Sequence, residues 1–373
     1  MKLALVRQRY NPYGGAERHI ERAVTALQRE GAEITLIARA WTGEGAAKTR
    51  RVLEVNPFYI GRWWRDAGFA RAARAAWERA GFALVQSHER IPGASIYRAG
   101  DGVHRQWLAN RARHASSFER LSIALNPYHR YVCAAEKAMF EHPGLRAVIC
   151  NSNMVRGEIL QHFSIPQQKL RVIYNGVDTE RFHPRARAQE AAARNRGEIV
   201  LAFVGSGFAR KGLDSVLAAM ACSRLRLKLL VVGDDRELPR YAALAGALKI
   251  GERVTFAGGV EDVRPHYAAA DALVLPTLYD PFPNVVLEAM AMGLPVIVSD
   301  QCGAAELVKH GESGWIVPVQ DAPALAETLD GLEDRASLVR MGEVARAAVE
   351  PYTIDAMAAQ LLALYRELGA PLR

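Results

Sequence analysis

The stretch at residues 272–300, ALVLPTLYDPFPNVVLEAMAMGLPVIVSD, reads as a strand, a loop, a helix and a second strand. ALVLPTL and PVIVSD are short apolar runs bounded by turn residues, as buried strands are. Pro283 suits the first turn of a helix, where its missing N–H would have no intrahelical partner, and Gly293 followed by Pro295 stops that helix. The N–H groups of Asn284, Val285 and Val286 are then expected to be free. A helix that starts at the C-terminal edge of a parallel sheet is a ready phosphate site. Asp280 precedes the helix and Glu288 lies about one turn inside it, so both border one ligand. A carboxylate accepts from two hydroxyls at once, which suits the vicinal diols of a ribose or a hexose.

Upstream, EIVLAFVG (198–205), KLLVVGDD (228–235) and RVTFAGGV (253–260) extend the strand pattern, with segments of helical period between them. The first half has its own series: LALVRQRY (3–10), a helix over 15–30, ITLIARA (34–40), FALVQSH (82–88), ASIYRAG (94–100), AVICNS (147–152) and VIYNGVD (172–178), the last a strand with an Asn175-Gly176 turn. Residues 183–197 read as a linker, and 354–368 as a helix. At 373 residues the chain exceeds one comfortable core. The expectation is α/β, with two Rossmann-like domains and a cleft between them: 1–178, on which a C-terminal helix of about 354–371 packs back, and 179–353.

The sequence FVGSGFARKG (203–212) supplies charge for a diphosphate. Gly205 and Gly207 allow close backbone approach, and Arg210 and Lys211 bring two cations to the start of the next helix, although a solvated loop would read the same way. Arg210 stands where a dinucleotide fingerprint needs its third glycine, which argues against a nicotinamide enzyme. Cys133, Cys150, Cys222 and Cys302 are scattered singly and read as reduced fillers, with neither zinc-site nor disulfide spacing. Charged residues within the first ten exclude a signal peptide, and no apolar run is long enough to span a bilayer, so a cytoplasmic protein is expected.

The net charge of +8 is unevenly placed. Residues 1–180 carry 27 Lys and Arg against 16 Asp and Glu, and the remainder 21 against 24. A one-sided basic surface suits a lipid surface, a phosphorylated acceptor or nucleic acid, or serves as plain solvated charge. Two basic segments also mix in aromatics: 61–81, with Trp63, Trp64, Phe69 and Trp77, and 104–132, with Trp107, Phe118, Leu121, Tyr128 and Tyr131 among Arg105, Arg111 and Arg113. That blend suits a membrane interface, and amphipathic helices packed on a sheet would look similar. No nucleic-acid module accompanies the charge, so no nucleic acid is expected. Asp101, between two glycines at a strand end, is the best candidate for the group nearest an acceptor hydroxyl, with His88 a second polar group at a strand end.

The Asp280-to-Glu288 segment resembles the acidic-x7-acidic motif of family 4 retaining glycosyltransferases, which have the GT-B fold. PYGGAERH (12–19), ICNSNMV, VIYNGVD, VGSGFARKG and AAADALVLPT agree in order over the whole chain, and RAGDGVHRQWL is most similar to bacterial lipopolysaccharide core glucosyltransferases. The resemblance implies a hexose, glucose from UDP-glucose, moved with retention onto a lipid-linked glycan on the inner face of the cytoplasmic membrane. It implies no metal and no cofactor besides the nucleotide sugar. Glu288 would hold the ribose, Asp280 the donor sugar, Arg210 and Lys211 the diphosphate, and the Asn284 and Val285 backbone the phosphate or sugar. Gly233 and the loop at Gly259 and Val260 would border the base, Asn175 would face the donor, and Gly14 and Gly15 would form the family's glycine loop. The family usually has Glu where this chain has Asp280, one methylene shorter, which leaves the donor hexose open. A sugar-nucleotide epimerase or hydrolase of the same fold, and a nucleotide-sugar- or nucleic-acid-binding protein without catalysis, are the other readings.

Overall fold

The computed structural model describes residues 2–10, 28, 31, 33–41, 51–82, 84–113, 116–185 and 198–369. The chain divides into two compact units, one of 1–175 with 354–373 and the other of 176–353. The helix expected over 15–30 and most of the linker fall outside the described residues.

The first unit is built on a seven-stranded parallel sheet. Its strands are β1 (Lys2–Val6), β2 (Glu33–Ala38), β3 (Arg51–Glu54), β4 (Leu84–Ser87), β5 (Ile96–Arg98), β6 (Ala147–Cys150) and β7 (Leu170–Val172), in spatial order 3-2-1-4-5-6-7. The central strands are buried on both faces, hence near-continuous apolar runs such as the AVIC of β6. The helix Ile354–Glu367 packs its Met357, Leu361, Leu362, Leu364 and Tyr365 against Leu3, Leu36, Ile96 and Ile149, which places the end of the chain in the core of its first unit.

The second unit repeats the plan with six parallel strands. They are β8 (Ile199–Val204), β9 (Leu227–Val232), β10 (Val254–Gly258), β11 (Ala272–Leu275), β12 (Val296–Ser299) and β13 (Gly314–Val317), in spatial order 10-9-8-11-12-13. In each unit the first and fourth strands are neighbours at the sheet centre, β1 with β4 and β8 with β11. There the winding reverses, and the loops leaving the two strands diverge and open a crevice at their carboxyl ends.

Three local expectations change. Pro283 is the cap of the helix Asn284–Ala291 rather than its first residue, with an extended ψ of 119°, and the Val286 N–H donates to the Pro283 carbonyl at 3.1 Å. A single tight turn therefore consumes one of the three N–H groups expected to be free. Asn175-Gly176 is not a turn: β7 ends at Val172 and the chain runs on irregularly. Phe69 and Trp77 are 1% and 5% exposed and belong to the core with Ile37 and Ile91, so they are not interfacial.

Candidate functional site

In the second unit, the topology brings together groups that lie about seventy positions apart in sequence. The loop after β8 carries Arg210 and Lys211 on and beside the short turn Phe208–Lys211, and the loop after β11 carries Asp280. Asp280 Oδ2 accepts from the Arg210 guanidinium at 2.9 Å and from Lys211 Nζ at 3.3 Å. Arg210 also donates to the Tyr279 carbonyl. The cations thus sit at the end of a helical turn that stops at Gly212, the residue that also caps the start of the next helix, Leu213–Cys222. Lys211 is buried, so the solvated-loop reading does not hold for it.

That burial needs Gly205. Any Cβ there would come within 2.4 Å of Lys211 Cε, so the lysine stem lies directly on the glycine backbone. Burial works against the charged Asp280, yet Lys211 and then Arg210 hold its carboxyl below the ordinary carboxylate range. Asp280 is fixed along its backbone too: its N–H donates to Gln301 O, and Gly303 N–H donates to its carbonyl. The loops after β11 and β12 are thereby tied at the residue that gathers the cations.

Glu288 stands on the helix Asn284–Ala291, where its Oε2 meets the Tyr267 hydroxyl at 3.1 Å. Asn284 and Val285 open that helix and are half-buried. The base-bordering candidates meet on the neighbouring loops, after β9 and β10. Gly233 N–H donates to Gly258 O at 2.8 Å, which sets the Gly233 turn beside the loop containing Gly259 and Val260. Gly233 has a φ of 146° and lies so close to Gly205 O that a Cβ would reach 2.4 Å, so a side chain would separate the two loops.

Sequence reasoning missed Asp235. Its Oδ2 accepts from the N–H groups of Gly207 and Phe208 at 2.9 and 2.7 Å, and its Oδ1 from Glu237 N. An anion site at this turn is already occupied by the protein's own carboxylate, so the turn offers a ligand its cationic side chains and not these two N–H groups. The only sequence signal was a second acid after GD, in GDD.

In the first unit, Asp101 is exposed on a turn at the end of β5. Asn151 supports it by donating to Gly100 O at 3.3 Å, and Arg90 by donating to Gly102 O at 3.1 Å. His88 is buried after β4; its Nε2 lies 3.2 Å from Gln86 Nε2, and the Tyr365 hydroxyl donates to Gln86 Oε1 at 2.6 Å. Asn175 accepts from Arg98 at 2.7 Å. Glu89, which sequence reasoning passed over, sits beside His88 at the β1–β4 crevice and accepts from Gln8 N–H, and burial pushes its carboxyl above the ordinary range. Gly14 and Gly15 lie outside the described residues.

The basic aromatic surface is only partly as expected. Trp63 and Trp64 are 60% and 43% exposed, and Arg105, Arg111 and Arg113 are exposed on the helix His104–Arg113. Trp107 is half-buried, with His104 at 5.3 Å on one side and Arg111 at 5.6 Å over its ring. The buried Glu136 takes the His104 and Arg105 N–H groups and pairs with Arg90, which fixes the start of that helix. The helix Ser117–Leu125 buries no residue, and its Phe118, Leu121 and Leu125 share one exposed face.

Comparison with known proteins agrees with this fold. Residues 13–181 match the family model described as Glycosyltransferase Family 4, and residues 198–335 the model described as Glycosyl transferases group 1. The lipopolysaccharide glucosyltransferase WaaG of Escherichia coli is 25% identical over 329 residues, 85% of each chain. A crystal structure of WaaG superposes with a TM-score of 0.84 at 23% identity, covering 97% of this chain and 99% of that one. The Anabaena protein HepE, solved in complex with UDP-glucose, has the same fold at a TM-score of 0.72 and 21% identity, covering 98% of this chain and 100% of that one.

Proposed function

The chain belongs to the family 4 and group 1 glycosyltransferases and has their GT-B fold, and from that premise we propose that it moves glucose from UDP-glucose, with retention, onto a lipid-linked glycan such as a lipopolysaccharide core. The observation that carries this reading is the meeting of Arg210, Lys211 and Asp280 on the crevice edge that also bears Glu288. In it Glu288 holds the ribose, Arg210 and Lys211 the diphosphate, the Asn284 and Val285 backbone the phosphate or sugar, and Asp280 borders the sugar. Gly233 and Val260 border the base. Asp101 and His88 are assigned to the acceptor, and Gly14, Gly15 and Asn175 to the donor.

The bond from the sugar's anomeric carbon to the phosphate oxygen breaks and one to the acceptor oxygen forms, and the acceptor's proton passes to the leaving diphosphate. Negative charge grows on that diphosphate, where each preorganised cation or N–H is worth a few kcal/mol. Two side-chain cations would offset the diphosphate charge without a divalent ion, so metal independence is part of the proposal. Incubating the protein with UDP-glucose, UDP-galactose, UDP-N-acetylglucosamine and GDP-mannose, with and without a lipid-linked glycan, is expected to give product from UDP-glucose only, undiminished in excess EDTA. Donor turnover that ignores the acceptor would favour a hydrolase or epimerase, and activity that EDTA abolishes and Mg²⁺ restores would refute metal independence.

The same reading places the protein on the cytoplasmic face of the membrane. No helix among the described residues is long and apolar enough to cross a bilayer. The exposed rings of Trp63, Trp64 and Phe118 and the exposed Arg105, Arg111 and Arg113, all in the first unit, support peripheral attachment. Each arginine near an anionic surface contributes about 1 kcal/mol, screened within about 8 Å at physiological salt. Binding to vesicles containing anionic lipid should therefore be strong at low salt and fall as salt rises. Replacing Arg105, Arg111 and Arg113 by Glu should weaken it without altering donor binding; equal binding to neutral and anionic vesicles would count against the surface.

A further inference from the structure

We propose that Tyr267 is the positioning residue for Glu288, and that its phenol sets how sharply the site distinguishes ribose from deoxyribose in the nucleotide. The inference rests on the assignment of Glu288 to the ribose.

Tyr267 is fully buried on the helix Arg264–Ala269, a different element from the helix that carries Glu288. Its hydroxyl lies 3.1 Å from Glu288 Oε2 and 3.2 Å from Val285 O. A phenol has one proton to give. A carboxylate is the stronger acceptor, and Val285 O is a helix carbonyl that the ladder itself can fill, so the phenol proton is assigned to Glu288.

The phenol oxygen is itself a fixed point. The ring meets Phe182 edge-on at 6.3 Å. The start of its helix is held by Arg264, which closes on Asp262 through contacts of 2.6 to 3.0 Å, and Arg264 pulls the Asp262 carboxyl down to about 2. After the helix, Asp271 N–H donates to Val200 O of β8 at 2.6 Å, which ties this segment to the sheet centre. Glu288, by contrast, is a long half-buried side chain with several rotatable bonds, and two adjacent hydroxyls are met at once only if its carboxylate is already oriented.

The test is the affinity of the full chain for UDP and 2′-deoxy-UDP, with GDP and 2′-deoxy-GDP in parallel, measured by calorimetry on the parent, Tyr267→Phe, Glu288→Gln and the double variant. A hydrogen bond to a charged group sets the scale, so the parent should prefer the ribonucleotide by about tenfold or more. In Tyr267→Phe that preference should fall to about threefold or less, with deoxynucleotide affinity nearly unchanged. In the Glu288→Gln background the Phe substitution should have no further effect on either nucleotide. Equal weakening of both nucleotides, or an undiminished preference, would overturn the proposal and leave Tyr267 a packing residue. A parent that makes no ribose distinction, or binds neither pair, would instead overturn the Glu288 assignment beneath it. Phe keeps the ring in place, and an unchanged melting temperature confirms that the fold is intact.

Discussion

Replacing Lys211 by Met should lower donor turnover at least tenfold while the fold survives. The ammonium is one of two cations that the loop after β8 presents, and losing one hydrogen bond from a charged group costs about 1.5 to 3 kcal/mol, or roughly 10- to 150-fold. Methionine is the informative substitution because the lysine stem lies against Gly205 and is buried. Alanine would empty that space and confuse a packing loss with a charge loss. With Met, Asp280 keeps Arg210 as a partner, so most of the effect should appear in donor affinity and turnover rather than in unfolding. Measured by initial rates at saturating acceptor and by calorimetry with free nucleoside diphosphate, both quantities should fall together. Turnover and affinity equal to the parent's would remove Lys211 from the diphosphate site.

Much of this site could be read before the fold was known, because its signals are local. Pro283 and Gly293 bracket a helix within eleven residues, with Glu288 inside that bracket and Asp280 three residues before it. The apolar runs named β8, β9, β11 and β12 because strands buried on both faces leave continuous patterns. What stayed hidden depends on contacts between distant positions. Sequence gives no reason for Tyr267 to meet Glu288, or for Asp235 to occupy the Gly207 and Phe208 N–H groups, since strand order decides which loops lie side by side. Composition left Phe69 and Trp77 undecided: an arginine-rich helix laid on a sheet has the same composition as one laid on a membrane, and only burial separates the two. Pro283 shows a third kind of error, since proline is compatible with both the cap and the first turn and the choice between them depends on ψ.

Asp280→Asn should destabilise the second unit more than any other single change at this site, and the effect should depend on pH. The Lys211 side chain is 8% exposed, and among the described residues Asp280 is the one carboxylate paired with it. Removing one partner of a buried pair leaves an uncompensated charge and costs about 3 to 5 kcal/mol. The lower end applies here, because Arg210 is 41% exposed on its side chain and can turn to water, and because asparagine keeps an acceptor oxygen. For a unit of this size the melting midpoint should fall by roughly 6 to 12 °C at pH 7. The sign of the pH effect follows from the lowered Asp280 carboxyl. A group whose native value is depressed contributes fully above its unfolded value of about 3.9, and that contribution is lost as pH falls through the lower native value. The gap between parent and variant should therefore stay nearly constant from pH 7 to about pH 5 and close only below about pH 4. Thermal melts across that range test it: a variant as stable as the parent at pH 7, or a gap that persists undiminished at the acid end, would mean that Asp280 does not hold Lys211 in the folded protein.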